Sequence, residues 1–166
     1  MARGSRVTQE GLLVGCVAYA SVAVFYAVFD LLAVRGPLYT VNLLGRAVFT
    51  GVRDPAVLQF PIPPDLTAIF WYTVLHLVLS LAIGLIVVRL VAHAECHPSQ
   101  ARAVLFTIVA GFVVTILAVG VLTEPMRALL PWWSIVVANA SAVVVAGSYL
   151  MRAHPGILRK MVTSGG

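Results

Sequence analysis

Residues 66–92 read LTAIFWYTVLHLVLSLAIGLIVVRLVA, and this stretch decides the fold class. Arg89, close to its end, is its only charged residue. The hydrocarbon core of a bilayer is roughly 30 Å thick, and a helix rising about 1.5 Å per residue crosses it in about 20 residues. The run is too long for a strand and lacks period-two alternation. In lipid, backbone N–H and C=O groups must pair within the segment, which selects a helix. Three more runs have this character: 11–34, interrupted only by Asp30, then 101–123 and 132–151. The expected fold is all-α, a four-transmembrane-helix bundle.

Composition agrees. The chain has 166 residues, 61% of them apolar and 10% charged, with a mean hydropathy of +1.01. A soluble domain carries about 25% charged residues, so a soluble enzyme, a disordered tail and a disulfide scaffold are excluded. The net charge of +5 comes from residues scattered between apolar runs. There is no basic stripe with aromatic interleaving of the kind that nucleic acid requires. Membrane lipids and other membrane-protein subunits are the expected partners. Cys16 and Cys96 lie on different segments and form no C-x-x-C pair.

The N-terminus has features of a signal peptide: basic Arg3 and Arg6, a cleavage-like Ala18-Tyr19-Ala20, and Leu13-Val14-Gly15-Cys16 as a lipobox-like tetrad. Glu10 leaves almost no apolar stretch before Cys16, and the run continues to Val34, so the reading is an uncleaved signal anchor.

Four spans place both termini on one side. Arg3, Arg6, Arg89, Arg102, Arg152, Arg159 and Lys160 fall on that side, against Arg35, Arg46, Arg53 and Arg127 on the other. The positive-inside rule then makes residues 1–10, 93–100 and 152–166 cytoplasmic, and 35–65 and 124–131 extracytoplasmic. Trp71, Trp132 and Trp133 fall near the outer interface, where indole prefers to sit.

The long loop 35–65 invites structure of its own. Gly36-Pro37 is read as the break after the first span, and Thr40 as the cap of a short helix over 41–49. That helix would show Leu43, Leu44, Ala47 and Val48 on one side and Asn42, Arg46 and Thr50 toward the other, as an interfacial helix on the outer membrane surface. Pro61, Pro63, Pro64 and Asp65 make a stiff lead into the next span. Ser99 is the expected N-cap of the third span, and the tail from His154 is expected to fray.

Polar groups inside lipid need a reason. Tyr72, His76, Ser80 and Gly84 share a face, as do Ala103, Thr107, Gly111 and Thr115, and Ala138, Ala142 and Ala146. Tyr19 and Tyr26 add polar groups on the first span. Counted inward from the outer ends, Tyr26, His76, Thr115 and Asn139 reach similar depths and are expected to form one polar layer. Its bland role is hydrogen bonding between helices; its sharper one is His76 serving a proton, a quinone or a haem. His76 is the only histidine within a span, so a bis-histidine haem would take its second ligand from elsewhere. The residues themselves call for no cofactor. Asp30 is read as an interfacial ion pair with Arg35 and Arg46, too shallow for a transporter carboxylate. His93, Cys96 and His97 resemble a metal-ligand set, but Pro98 follows and no fourth ligand is evident unless His154 contributes, so they read as a solvated helix end. No H-E-x-x-H, G-x-S-x-G or Gly-rich phosphate loop occurs, and no nucleophile–base pair is apparent, so no enzyme is expected.

Gly36-Pro37-Leu38-Tyr39-Thr40, then Leu43-Leu44-Gly45 and Phe49, then Tyr72-Thr73-Val74-Leu75-His76, resemble an uncharacterised family of bacterial four-helix membrane proteins. The likeness runs from the first span through Asn139 to His154-Pro155. It implies a bacterial inner-membrane location and this topology, and brings no activity. The functional expectation is a non-catalytic accessory or assembly subunit of a respiratory or photosynthetic complex. The alternatives are a small homo-oligomeric transporter or channel, or a haem- or quinone-binding electron-transfer subunit using His76.

Overall fold

A computed structural model describes residues 2–156. Helix α1 (Ala2–Leu32) is followed by a short helix α2 (Tyr39–Gly45), which runs on into a π-type turn over Arg46–Thr50. Helices α3 (Leu66–Cys96), α4 (Ala101–Leu122) and α5 (Trp132–Ala153) follow, and no strand occurs among the described residues. Four helices are long and apolar enough to cross a membrane, the architecture of a multi-pass membrane protein. The part of the expected tail at 157–166, with Arg159 and Lys160, lies outside the described residues.

The long helices match the expected spans closely at most ends. The exceptions are α1, which begins at Ala2 rather than 11, and α3, which runs on to Cys96. Hydropathy marks only the part of a helix that sits in lipid. The polar first turns of α1 stay helical because Val7 packs on a cluster of Val14, Val88, Ala146 and Leu150. At 31 residues each, α1 and α3 exceed the length a bilayer requires.

The helix ends show how the sequence is punctuated. Asp65 caps α3, its Oδ1 accepting from the Ala68 N–H at 3.0 Å. The expected cap at Ser99 is replaced by a 3-10 turn over Pro98–Gln100, whose bonds leave α4 without a side-chain cap. Helix α1 ends before Gly36, at a turn in which Val34 takes a left-handed φ of 57°. There the Arg35 N–H donates to the Asp30 carbonyl at 2.8 Å and the Val34 N–H to the Leu31 carbonyl at 3.0 Å, the paired bonds of a Schellman motif.

Helix α1 lies between α3 and α5. Against α3 the contact is backbone on backbone: a Cβ placed on Gly15 would stand 2.6 Å from the Leu81 Cα, and one on Gly84 would stand 2.5 Å from the Gly15 nitrogen. Gly11-x3-Gly15 thus crosses Ser80-x3-Gly84, the close approach that small residues allow in lipid. On α5 a stripe of five residues spaced four apart, Ser134, Ala138, Ala142, Ala146 and Leu150, is buried. Helix α4 is held differently. Ala101 and Val104 pack on Val91 and Ala94 at one end, and Gly120 meets Trp132 at the other. No residue of α4 between Val104 and Ile116 is buried.

Candidate functional site

Polar side chains gather at three levels along the bundle. The first is the end where α1 stops and the long loop folds over. Asp30 is wholly buried, and its carboxylate accepts from the Thr40 backbone N–H and from the Thr40 hydroxyl, each at 2.7 Å. Thr40 is therefore not the cap of the short helix; Asp30, from the preceding long helix, supplies the acceptor. Among the described residues no ion pair joins Asp30 to Arg35 or Arg46. Arg35 instead donates to the Leu129 carbonyl at 3.2 Å, and its guanidinium lies 4.7 Å from the centre of the Tyr39 ring. Arg46 donates to the Pro63 carbonyl at 3.0 Å. In the folded loop both guanidinium groups donate to backbone carbonyls.

The short helix α2 is tied from several sides. The Tyr39 hydroxyl donates to the Leu58 carbonyl at 2.9 Å, and the Asn42 side chain accepts from the Asp65 N–H at 3.0 Å while donating to the Pro63 carbonyl at 3.2 Å. Leu43, Leu44 and Ala47 are buried as expected, but so is Asn42, on the side expected to be polar and open. This segment is a plug over one end of the bundle.

The second level surrounds His76. Its ring lies 5.2 Å from that of Tyr19, edge-on, and 6.1 Å from that of Tyr72. Tyr26 is buried in the core next to Ile135 and Ala138. The other two members of the expected layer bond within their own helices, Thr115 to the Gly111 carbonyl and Asn139 to the Ile135 carbonyl, both at 2.8 Å. The four residues do not form one hydrogen-bonded network. Hydroxyl and amide groups one turn from a carbonyl satisfy themselves locally, and depth counting is blind to that alternative.

The third level lies at the opposite end of the bundle, where α1 begins. His154, just past α5, has its Nδ1 2.7 Å from Glu95 Oε1 and its Nε2 2.8 Å from Glu10 Oε1. The side chains of His154 and Glu10 are largely shielded, at 15% and 14% exposed, and that of Glu95 is 31% exposed. An ionised carboxylate only accepts, so the ring donates to two such groups at once only in its doubly protonated form. Burial pulls the ring toward its neutral form, but the bonds and charges of Glu95 and Glu10 outweigh it and hold the imidazole above its ordinary value. A cavity of about 530 Å³ opens beside the group, with Arg6 and Tyr149 on its wall. A second cavity, of about 540 Å³, is an apolar groove between α1 and α5 near Ser21 and Ser141. His76 lines neither.

His154 thus turns away from the metal-like set. His93 and His97 are exposed and stack at 4.4 Å, His93 Nε2 sits 2.7 Å from Gln100 Oε1, and Cys96 is exposed between them. Among the described residues no three His, Cys, Asp or Glu side chains assemble as a metal site. The two carboxylates at His154 sit at opposite ring nitrogens, so they bracket the ring and do not converge on a point. The Glu10–His154–Glu95 group escaped the sequence reading because its members lie on three helices, with no spacing that links them. The one available signal was that all three fall at the same end of their spans. Comparison with protein families, with characterised proteins and with solved structures finds no match.

Proposed function

We propose that this chain is a non-catalytic subunit of a larger bacterial inner-membrane complex, respiratory or photosynthetic, with both termini in the cytoplasm. The observation that carries the reading is the open middle of α4. Helices associate in lipid through close packing of small residues and a few hydrogen bonds, because burying apolar area there gains nothing over lipid. The glycine crossing of α1 with α3 and the alanine stripe of α5 are occupied within the chain. The face of α4 built from Ala103, Thr107 and Gly111 is exposed, and a Cβ on Gly111 would meet nothing. A helix held at its two ends and bare between them suits docking against helices of another subunit.

The orientation rests on the excess of Arg and Lys at the end carrying Glu10 and His154. In this orientation the plug over Asp30 is an extracytoplasmic, interfacial element.

Native mass spectrometry of the gently extracted protein tests the proposal. A defined partner set is expected, and Gly111→Leu is expected to lose it while leaving helix content and melting unchanged. A chain that migrates alone from its native membrane at native abundance overturns it.

A further inference from the structure

We propose that Glu10, His154 and Glu95 form a proton-operated latch, which fastens the end of α5 to α1 and α3 when His154 is protonated and releases it when the proton leaves. The geometry requires this behaviour. A neutral imidazole carries one N–H, so it can donate to one of the two carboxylates but not both. Loss of the proton leaves the other carboxylate facing a lone pair, across the 2.7 Å or 2.8 Å that now separates them. It also leaves two negative side chains with no cation between them.

Among the described residues, the charged and titratable groups that line the cavity beside the ring are Arg6 and Glu10 from α1, Glu95 from α3 and Tyr149 from α5. Arg6 is exposed and makes no ion pair among the described residues, so it does not take over the role of the imidazolium. What the latch holds is the last turn of α5, where the His154 N–H donates to the Leu150 carbonyl at 2.8 Å and Leu150 is buried beside Val14 and Val88. Past His154, Gly156 takes a left-handed φ of 88° in the turn that follows α5. Release therefore loosens the wall of the adjoining cavity and the root of the C-terminal segment.

The direction with pH is fixed. The folded-state value is raised above that of the unfolded chain. The stabilisation is fully present below the ordinary histidine value of about 6.5 and is lost as pH rises through the higher folded-state value.

The experiment uses the full chain in lipid nanodiscs. Ring-nitrogen NMR of labelled histidines follows the titration, with the His154 signal assigned by its loss in His154→Gln. Hydrogen exchange of the last turn of α5, corrected for the intrinsic rate, is read across the same pH range. His154 is expected to keep its second proton to above the ordinary histidine value of about 6.5, and protection of the last turn to fall as that proton is lost. In His154→Gln the protection becomes independent of pH. Should that variant not fold, Glu95→Gln serves: removing one acceptor charge lowers the midpoint of His154. A ring that titrates at or below the ordinary value overturns the proposal. So does last-turn protection that is flat through the midpoint, a pH dependence that survives in His154→Gln, or a midpoint unmoved in Glu95→Gln.

Discussion

The carboxylate of Asp30 grips Thr40 twice, at the backbone N–H and at the hydroxyl, both at 2.7 Å. An acidic side chain at the end of one helix thereby becomes the N-terminal cap of the next. It satisfies an orphan N–H, and it fixes where the plug sits over the bundle.

Asp30 variants should separate the two bonds. In Asp30→Asn the amide still offers an oxygen to the Thr40 N–H, and the Thr40 hydroxyl can turn to accept from the amide nitrogen, so this variant should melt close to the natural protein. Asp30→Ala strands a buried N–H, a loss of about 1–3 kcal/mol. Thermal unfolding in detergent, with amide exchange at Thr40, checks the order. If Asp30→Ala melts no lower than Asp30→Asn, the capping role is wrong.

The α1–α3 crossing has no room for a side chain at Gly15, where a Cβ would meet the backbone of Leu81 at 2.6 Å. Gly15→Leu and Gly84→Val should each prise the helices apart and lower the melting temperature sharply. Gly4, where a Cβ meets nothing, is the control, and Gly4→Ala should be silent. Equal melting of Gly15→Leu and Gly4→Ala would falsify the crossing.

Val34 holds a left-handed φ of 57° while its side chain is 85% exposed. The left-handed region is unfavourable by about 1–2 kcal/mol for a residue with a Cβ, and this side chain has little packing to lose. Val34→Gly should therefore raise stability, by up to about 1 kcal/mol after the added freedom of the unfolded chain is subtracted. A lower melting temperature in this variant would show that the turn is not strained.

The four long helices were legible because hydropathy over about 20 residues is a strong signal. The Ala138, Ala142 and Ala146 stripe was legible because its period is that of a helix, and the structure buries it against α1. Asp65 was readable as the end of a proline-stiffened lead, and it caps α3. What failed depended on tertiary choice. Arg35 and Arg46 had a carboxylate to hand in the sequence, but the folded loop presents carbonyls nearer to them. Gly11 and Gly15 carry no mark until α3 lies across them, and Glu10 becomes interesting only once the far ends of three helices meet.

The central place of α1 has a bearing on biogenesis. Helix α1 rests on α3 along one flank and on α5, made later than the other three long helices described, along the other. Its two flanks are consequently completed at different times, and the nascent chain carries an unfinished seam until α5 has been made. Chains cut short before residue 132 keep the glycine crossing but never close the seam, so they are the products that membrane quality control should recognise and remove.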